Sequence, residues 1–157
     1  MIAIFPGSFD PATIGHISLI ERVAAVFDKV IVACAINNNS NYMFPVDVRL
    51  AMLESCCSEL RNVVVTSFTG LIVDCATLHD ANIIVKGVRS MQDFDYERNM
   101  AAVNKTIGRD IETLLLPSLP EYSYISSSLA KDILVNKGDL SSILPRSIID
   151  ILNSKEG

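Results

Sequence analysis

Short continuous apolar runs alternate along this chain with longer stretches whose apolar residues return every three or four positions. The runs cover residues 2–5, 29–35, 62–67, 82–85 and 112–116. Each is short and rich in Ile, Val and Leu, which predicts a strand buried on both faces. Between them, residues 14–27 carry Ile17, Ile20, Val23, Ala24 and Phe27 at helical spacing. Residues 46–60, 71–79 and 91–107 read the same way, with Pro45 at the entrance of the first and Gly108 at the exit of the last. Two closing helices are predicted over residues 127–136, before Gly138, and 145–153. Residues 37–42 form a polar loop, with asparagine at 37, 38, 39 and 41. Five strands separated by helices imply an α/β fold: a single-domain Rossmann-like five-stranded parallel sheet with helices on both faces, spanning residues 1–157.

Composition changes this picture little. Half of the 157 residues are hydrophobic. The longest strongly apolar stretch, residues 30–36, is far below the ~18–20 residues that span a bilayer, and the N-terminus carries no basic, apolar leader. The expectation is a cytoplasmic protein with no membrane partner. A net charge of −5 argues against a nucleic-acid partner, which would need many cations facing phosphates. Cations are unevenly placed, however. None stands between Arg61 and Lys86, and then Lys86, Arg89, Arg98, Lys105 and Arg109 follow closely. That spacing suits a local anion site, or a solvated helix face. The four cysteines, Cys34, Cys56, Cys57 and Cys75, form no Cys-x-x-Cys pair, and only His16 and His79 could join them. No metal site is expected, and reduced thiols are.

The exit of the first strand, "FPGSFDPATIGH", carries the chemistry. Ligands of open parallel sheets sit at the carboxyl ends of strands. Here Gly7 is expected to let the backbone turn and approach a ligand, Ser8 offers a hydroxyl and an N–H, and Thr13 is a candidate cap. Gly15-His16 falls in the first helical turn, where free N–H groups and the dipole attract anions. An isolated histidine would read as a partly buried helix residue; this context makes His16 a phosphate donor. Ser126-Ser127-Ser128 before an apolar helix is a second such place, whose simpler reading is helix capping.

"PGSFDPATIGH" resembles the first signature of the nucleotidyltransferases related to class I aminoacyl-tRNA synthetases, whose threonine-x-x-glycine-histidine element binds ATP. "KGVRSMQDFDYE", Asn104, "EYSYISSSLAK" and "KGD" at similar spacing resemble the phosphopantetheine adenylyltransferases over nearly the whole chain. The resemblance implies transfer of AMP from ATP to 4′-phosphopantetheine, giving dephospho-coenzyme A and pyrophosphate. It implies Mg²⁺ carried with the ATP, and a homohexamer built as a dimer of trimers. An attacking phosphate is already a nucleophile, so the reaction asks for no serine or cysteine nucleophile and no strong base. It asks for two polyanions brought into line and for charge stabilised at the α-phosphate.

By resemblance, His16 is the catalytic donor to that phosphate. ATP is bound by Ser8, Phe9, His16, Gly87, Val88, Arg89, Glu97, Tyr122, Ser123, Tyr124, Ile125, Ser126, Ser127 and Ser128. The acceptor is bound by Ser8, Ser40, Leu71, Ile72 and Lys86, although ordinary core packing also explains Leu71 and Ile72. Two positions depart from the family pattern. Ser40 stands where lysine is common, leaving the loop before "MF" without a cation, and Lys86 stands where arginine is common, keeping the charge but not the planar fork. Rival readings are a sister enzyme acting on nicotinamide mononucleotide or glycerol phosphate, and a silent nucleotide-binding module.

Overall fold

The computed structural model describes residues 1–108 and 110–155, the last without its side chain. Arg109, one of the clustered cations, lies outside the described residues. The sheet has five parallel strands: β1 (Ile2–Gly7), β2 (Lys29–Ile36), β3 (Val63–Thr69), β4 (Ile83–Val88) and β5 (Glu112–Pro117), in the spatial order β3-β2-β1-β4-β5. The helices are α1 (Ile14–Ala24), α2 (Val46–Cys57), α3 (Ile72–Leu78), α4 (Met91–Ile107), α5 (Ser127–Val135) and α6 (Arg146–Lys155), with a single 3₁₀ turn at Pro120–Tyr122.

Strand alternation separates two cores. Ala3, Phe5, Val30, Val32, Cys34 and Val85 point to the face covered by α1, α2, α5 and α6, where Leu19, Ile20, Met52, Leu53, Ala130 and Ile148 complete the larger cluster. Ile4, Ile31, Ala33 and Ile84 point to the other face and pack on Val73, Cys75 and Ala76 of α3 and on Ile111. Both faces being buried is the reason these strands read as continuous apolar runs. Every strand runs one to three residues past its sequence-predicted end, because the ladder continues through Pro6-Gly7, Ile36, Phe68-Thr69, Lys86–Val88 and Pro117. Helix α1 is shorter than predicted: Ala25 caps it, and Phe27 still packs on the larger core from the turn that follows.

The register locates the opening in the sheet. β1 pairs with β2 as far as Gly7↔Cys34, but with β4 only through Ala3↔Ile83 and Ile4↔Ile84. Beyond Ile4 and Ile84 the two strands part. The chain reverses its winding at this same pair, since β1 continues to β2 on one side while β4 and β5 extend the sheet on the other. A cleft is therefore expected at the carboxyl ends of β1 and β4.

Candidate active site

The cleft there encloses about 340 Å³. Its floor is Phe5, Pro6 and Gly7 of β1 with Lys86 and Gly87 of β4. Its walls are the N-termini of α1 and α5, together with Arg89, Asp93 and Glu97.

At the α1 wall, Thr13 and His16 form a reciprocal cap. The Thr13 hydroxyl accepts the His16 N–H at 3.4 Å, and His16 Nδ1 accepts the Thr13 N–H at 3.0 Å. A histidine occupies the third helical position, where glutamate or glutamine usually closes this box. Because Nδ1 is an acceptor, the proton of the neutral ring resides on Nε2. Burial, and then the Arg89 guanidinium, lower the His16 pKa from 6.5 to about 4, so the ring is neutral at physiological pH. The Phe9 ring supports it edge-on, with centroids 5.3 Å apart. The geometry makes His16 a cleft-lining hydrogen-bond donor and a structural cap at once.

Gly7 lines the cleft and has a packing role besides the one expected. A Cβ there would lie 2.9 Å from Cζ of Phe9, so the missing side chain makes room for that ring. The left-handed backbone falls instead on Phe9, with φ 48°. Gly87 lines the cleft and is also a packing glycine, since its Cβ would meet Leu19 of α1 at 2.4 Å.

At the opposite wall the three serines divide their work. Ser126 caps α5 by accepting the Leu129 N–H at 3.1 Å. Ser127 donates to the Pro11 carbonyl at 2.8 Å, tying α5 to the β1–α1 turn. Among the described residues Ser128 makes no side-chain hydrogen bond, and it is exposed in the cleft. Two helix N-termini thus face one space, each able to attract an anion.

The cations resolve into two kinds. Arg98 pairs with Asp95, and Lys105 with Glu112, on the exposed outer surface. Lys86 and Arg89 face the cleft, and each is held by a carboxylate of α4. Lys86 Nζ lies 3.2 Å from Glu97. Arg89 Nε donates to Asp93 at 3.2 Å while its Nη1 donates to the Ile125 carbonyl at 3.1 Å. Asp93 and Glu97 are one helical turn apart, so a single face of α4 orients both cations. Asp93 received no role from the sequence; its spacing of four from both Arg89 and Glu97 was the available signal.

Of the sequence-assigned residues, Ser8, His16, Lys86, Gly87, Arg89, Glu97, Tyr122, Ile125, Ser126, Ser127 and Ser128 line the cleft. Phe9 and Val88 are buried beside it, Ser123 bonds to Pro120, and Tyr124 is exposed. Ser40, Leu71 and Ile72 do not line it. Ser40 is exposed and donates its N–H to Asn37 O at 3.0 Å. Leu71 is exposed at the N-cap of α3, and Ile72 packs on the smaller core.

Two buried polar residues that the sequence reading left without such roles hold the loop bearing Ser40. Asp10 accepts the N–H groups of Met43 and Phe44 at 2.8 and 2.9 Å and pairs with Lys131 of α5 at 3.4 Å. Arg49 of α2, 1% exposed, donates to the carbonyls of Phe44, Ser8 and Ala35. Its sequence signal was a cation on the apolar stripe of α2, three and four residues before Met52 and Leu53.

Among the described residues no activated nucleophile lines the cleft. The thiols lie elsewhere, and burial raises their pKa values, that of Cys57 to about 11. Among the described residues no three His, Cys, Asp or Glu side chains come together as metal ligands, and no helix is long and apolar enough to cross a membrane. Polyanion binding and charge stabilisation are what this cleft can do.

Comparison with known proteins agrees. Residues 4–133 match the model of the cytidylyltransferase-like family. Proteins named phosphopantetheine adenylyltransferase are similar over nearly the full chain: that of Clostridium perfringens is 42% identical, covering 98% of this chain and 94% of its own length, and that of Geotalea daltonii is 40% identical, covering 98% and 96%. The solved structure of a Vibrio parahaemolyticus protein, provisionally named nicotinate-nucleotide adenylyltransferase, superposes with a TM-score of 0.68 at 21% identity over 96% of this chain and 97% of that one. At that identity the likeness speaks for the fold.

Proposed function

The chain belongs to the cytidylyltransferase-like family and, within it, to the phosphopantetheine adenylyltransferases, and from that premise we propose that it transfers AMP from ATP to 4′-phosphopantetheine, releasing pyrophosphate and 3′-dephospho-coenzyme A in coenzyme A synthesis. The observation that carries this reading is the 42% identity sustained over 98% of the chain. The cleft supplies the chemistry.

An oxygen of the acceptor phosphate attacks the α-phosphorus of ATP while the bond from that phosphorus to the bridging oxygen breaks. Pyrophosphate leaves with the electron pair. The attacking phosphate enters deprotonated, so no base and no covalent enzyme intermediate are required. His16 donates its Nε2 proton as a hydrogen bond to the α-phosphate, where charge grows; the Thr13 N–H bond to Nδ1 supports this tautomer. Arg89, aligned by Asp93 and Ile125, meets the polyphosphate. The serine-rich N-terminus of α5 offers further donors. Lys86 lies at the same cleft for the acceptor, with Glu97 against its ammonium. Mg²⁺ is expected to travel with the nucleotide, held by phosphate oxygens and water rather than by a carboxylate cage. The remaining ATP and acceptor contacts, including Ser40, Leu71 and Ile72, rest on the family resemblance.

The whole chain acts as one such domain, in the cytoplasm, as a homohexamer. Support for assembly comes from α4 and β5, which leave Tyr96, Val103, Ile107 and Leu114 exposed by 64, 49, 48 and 45%. Sedimentation or light scattering checks the hexamer. The activity is tested by pyrophosphate release from ATP with each acceptor in turn. Release with 4′-phosphopantetheine alone is expected. Release with nicotinamide mononucleotide or glycerol phosphate instead would select a sister activity, and ATP binding without release under any acceptor would leave a silent module.

A further inference from the structure

Arg49 is a buried cation without an anionic partner. Its side chain is 1% exposed, yet among the described residues no carboxylate lies within ion-pair distance. The nearby carboxylate, Asp10, is already taken by two backbone N–H groups and Lys131. Desolvating a guanidinium without a counter-charge is costly. The guanidinium is instead satisfied by neutral acceptors: Nη1 donates to Ser8 O at 2.6 Å, Ala35 O at 3.0 Å and Cys34 Sγ at 3.3 Å, and Nε to Phe44 O at 3.1 Å. The Tyr42 ring lies 3.9 Å over its carbon. Anchoring a loop would need only neutral donors, so the charge itself asks for a reason.

The shortest of these bonds points to one. It ends on the carbonyl of the Ser8–Phe9 peptide, at the lip of the cleft. A trans peptide is planar, so its N–H points opposite to its C=O. The Phe9 N–H therefore points away from Arg49, and among the described residues nothing accepts it. Phe9 is 1% exposed, and a main-chain N–H left without a protein partner in so buried a residue needs an account. Phe9 also holds φ 48°, a left-handed conformation unfavourable to a bulky side chain. A buried charge on the carbonyl, a left-handed residue and an unpartnered N–H thus occupy one peptide. A cation at the carbonyl oxygen draws electron density along the peptide and strengthens its N–H as a donor.

Resting on the function proposed above, we infer that Arg49 is a positioning residue for phosphate binding: it fixes and polarises the Ser8–Phe9 peptide so that the Phe9 N–H is presented to a phosphate oxygen. Arg49 itself stays beneath the surface and touches no substrate.

The first measurement uses the unmodified protein. Hydrogen exchange at the Phe9 N–H is followed alone, with ATP, with inorganic pyrophosphate and with adenosine. Slowing by ATP or pyrophosphate, but not by adenosine, is expected; exchange that neither phosphate ligand changes overturns the inference. The second uses Arg49→Met, which keeps the stem and removes the charge, and Arg49→Lys, which keeps the charge but not the fork. Below the melting temperature of each variant, affinity for ATP relative to adenosine should fall roughly 10-fold or more, on the scale of one donor to a charged group. A structural role alone would lower the melting temperature and leave that ratio at the parent value, which would contradict the proposal. Neither readout depends on the acceptor. Parent protein that binds ATP but releases no pyrophosphate with 4′-phosphopantetheine would therefore fail the functional reading separately.

Discussion

Two loops leave neighbouring strands at the carboxyl end of this sheet, and they differ in how much of their order is local. The β1–α1 turn supplies much of its own order: Thr13 and His16 cap each other and the Phe9 ring lies where Gly7 has no side chain, while Ser127 and Arg49 tie the turn to α5 and α2. The β2–α2 loop is ordered partly from within, by Asn37 N–H on Tyr42 Oη, but its anchors come from outside, from Asp10 and Arg49. The first loop turns polar groups into the cleft. The second keeps Ser40 in solvent and spends its buried polar bonds on support. The cleft-facing loop combines local caps with remote bonds from Ser127 and Arg49, whereas the loop bearing Ser40 takes its buried anchors from other elements.

Removing His16 strikes the first loop hardest. His16→Ala should lower kcat roughly 10²–10³-fold, the scale of one lost oxyanion donor. It should also lower stability by about 1 kcal/mol, because the Thr13 N–H loses its acceptor. Thermal melts separate the two effects when His16→Gln is added: glutamine at this position can close the cap, so stability should recover while the rate does not. A His16→Gln enzyme at parent rate would mean that the ring is only a cap.

Arg89→Lys comes next. It keeps the charge but cannot serve Asp93, Ile125 and a phosphate together, and kcat/KM for ATP should drop on the order of 10-fold. Asp93→Asn, which loosens the same guanidinium without removing it, should cost less. Equal kinetics for both variants and the parent would place Arg89 outside the reaction.

The pH dependence follows from the depressed pKa of His16. The folded state resists protonation that the unfolded chain accepts near 6.5, so this contribution to stability is complete above pH 6.5 and is lost as pH falls toward 4. Urea titrations between pH 7 and 4 should show the decline, and His16→Gln should flatten it. A parent profile as flat as the variant's would contradict the buried neutral ring.

The smallest effect is expected in the second loop. Ser40→Lys adds a cation to an exposed, neutral segment and should lower the KM for 4′-phosphopantetheine a few-fold at low salt, with ATP KM unchanged and the gain fading as salt rises. An unchanged acceptor KM at low salt would separate this loop from the acceptor phosphate.

The fold was legible because its cause is local and periodic: strands buried on both faces leave unbroken apolar runs, and α4 begins at Met91 and ends at Ile107 as its capping signals indicate. The β1–α1 turn was legible for the same reason, since cap, glycine and histidine are neighbours in sequence. What escaped depends on contacts across the chain. Nothing near Asp93 announces that it aligns Arg89, beyond a spacing of four. Arg49 meets Ser8 from 41 residues away. The part played by Gly7 also depends on a ring two residues on that could have turned either way. The cation cluster divides between its two readings, because sequence proximity ignores the face of α4: Arg98 and Lys105 look outward, and Lys86 and Arg89 stand at the strand end in the cleft.

The direct displacement at the centre of this account is tested by stereochemistry at the α-phosphorus. ATP made chiral there by sulfur substitution is turned over with 4′-phosphopantetheine, and the configuration of the product is determined. One in-line attack by the acceptor phosphate, in a cleft without a prepared nucleophile, gives inversion. Retention would require two displacements through a covalent enzyme intermediate and would contradict the mechanism drawn from His16, Arg89 and the two helix N-termini.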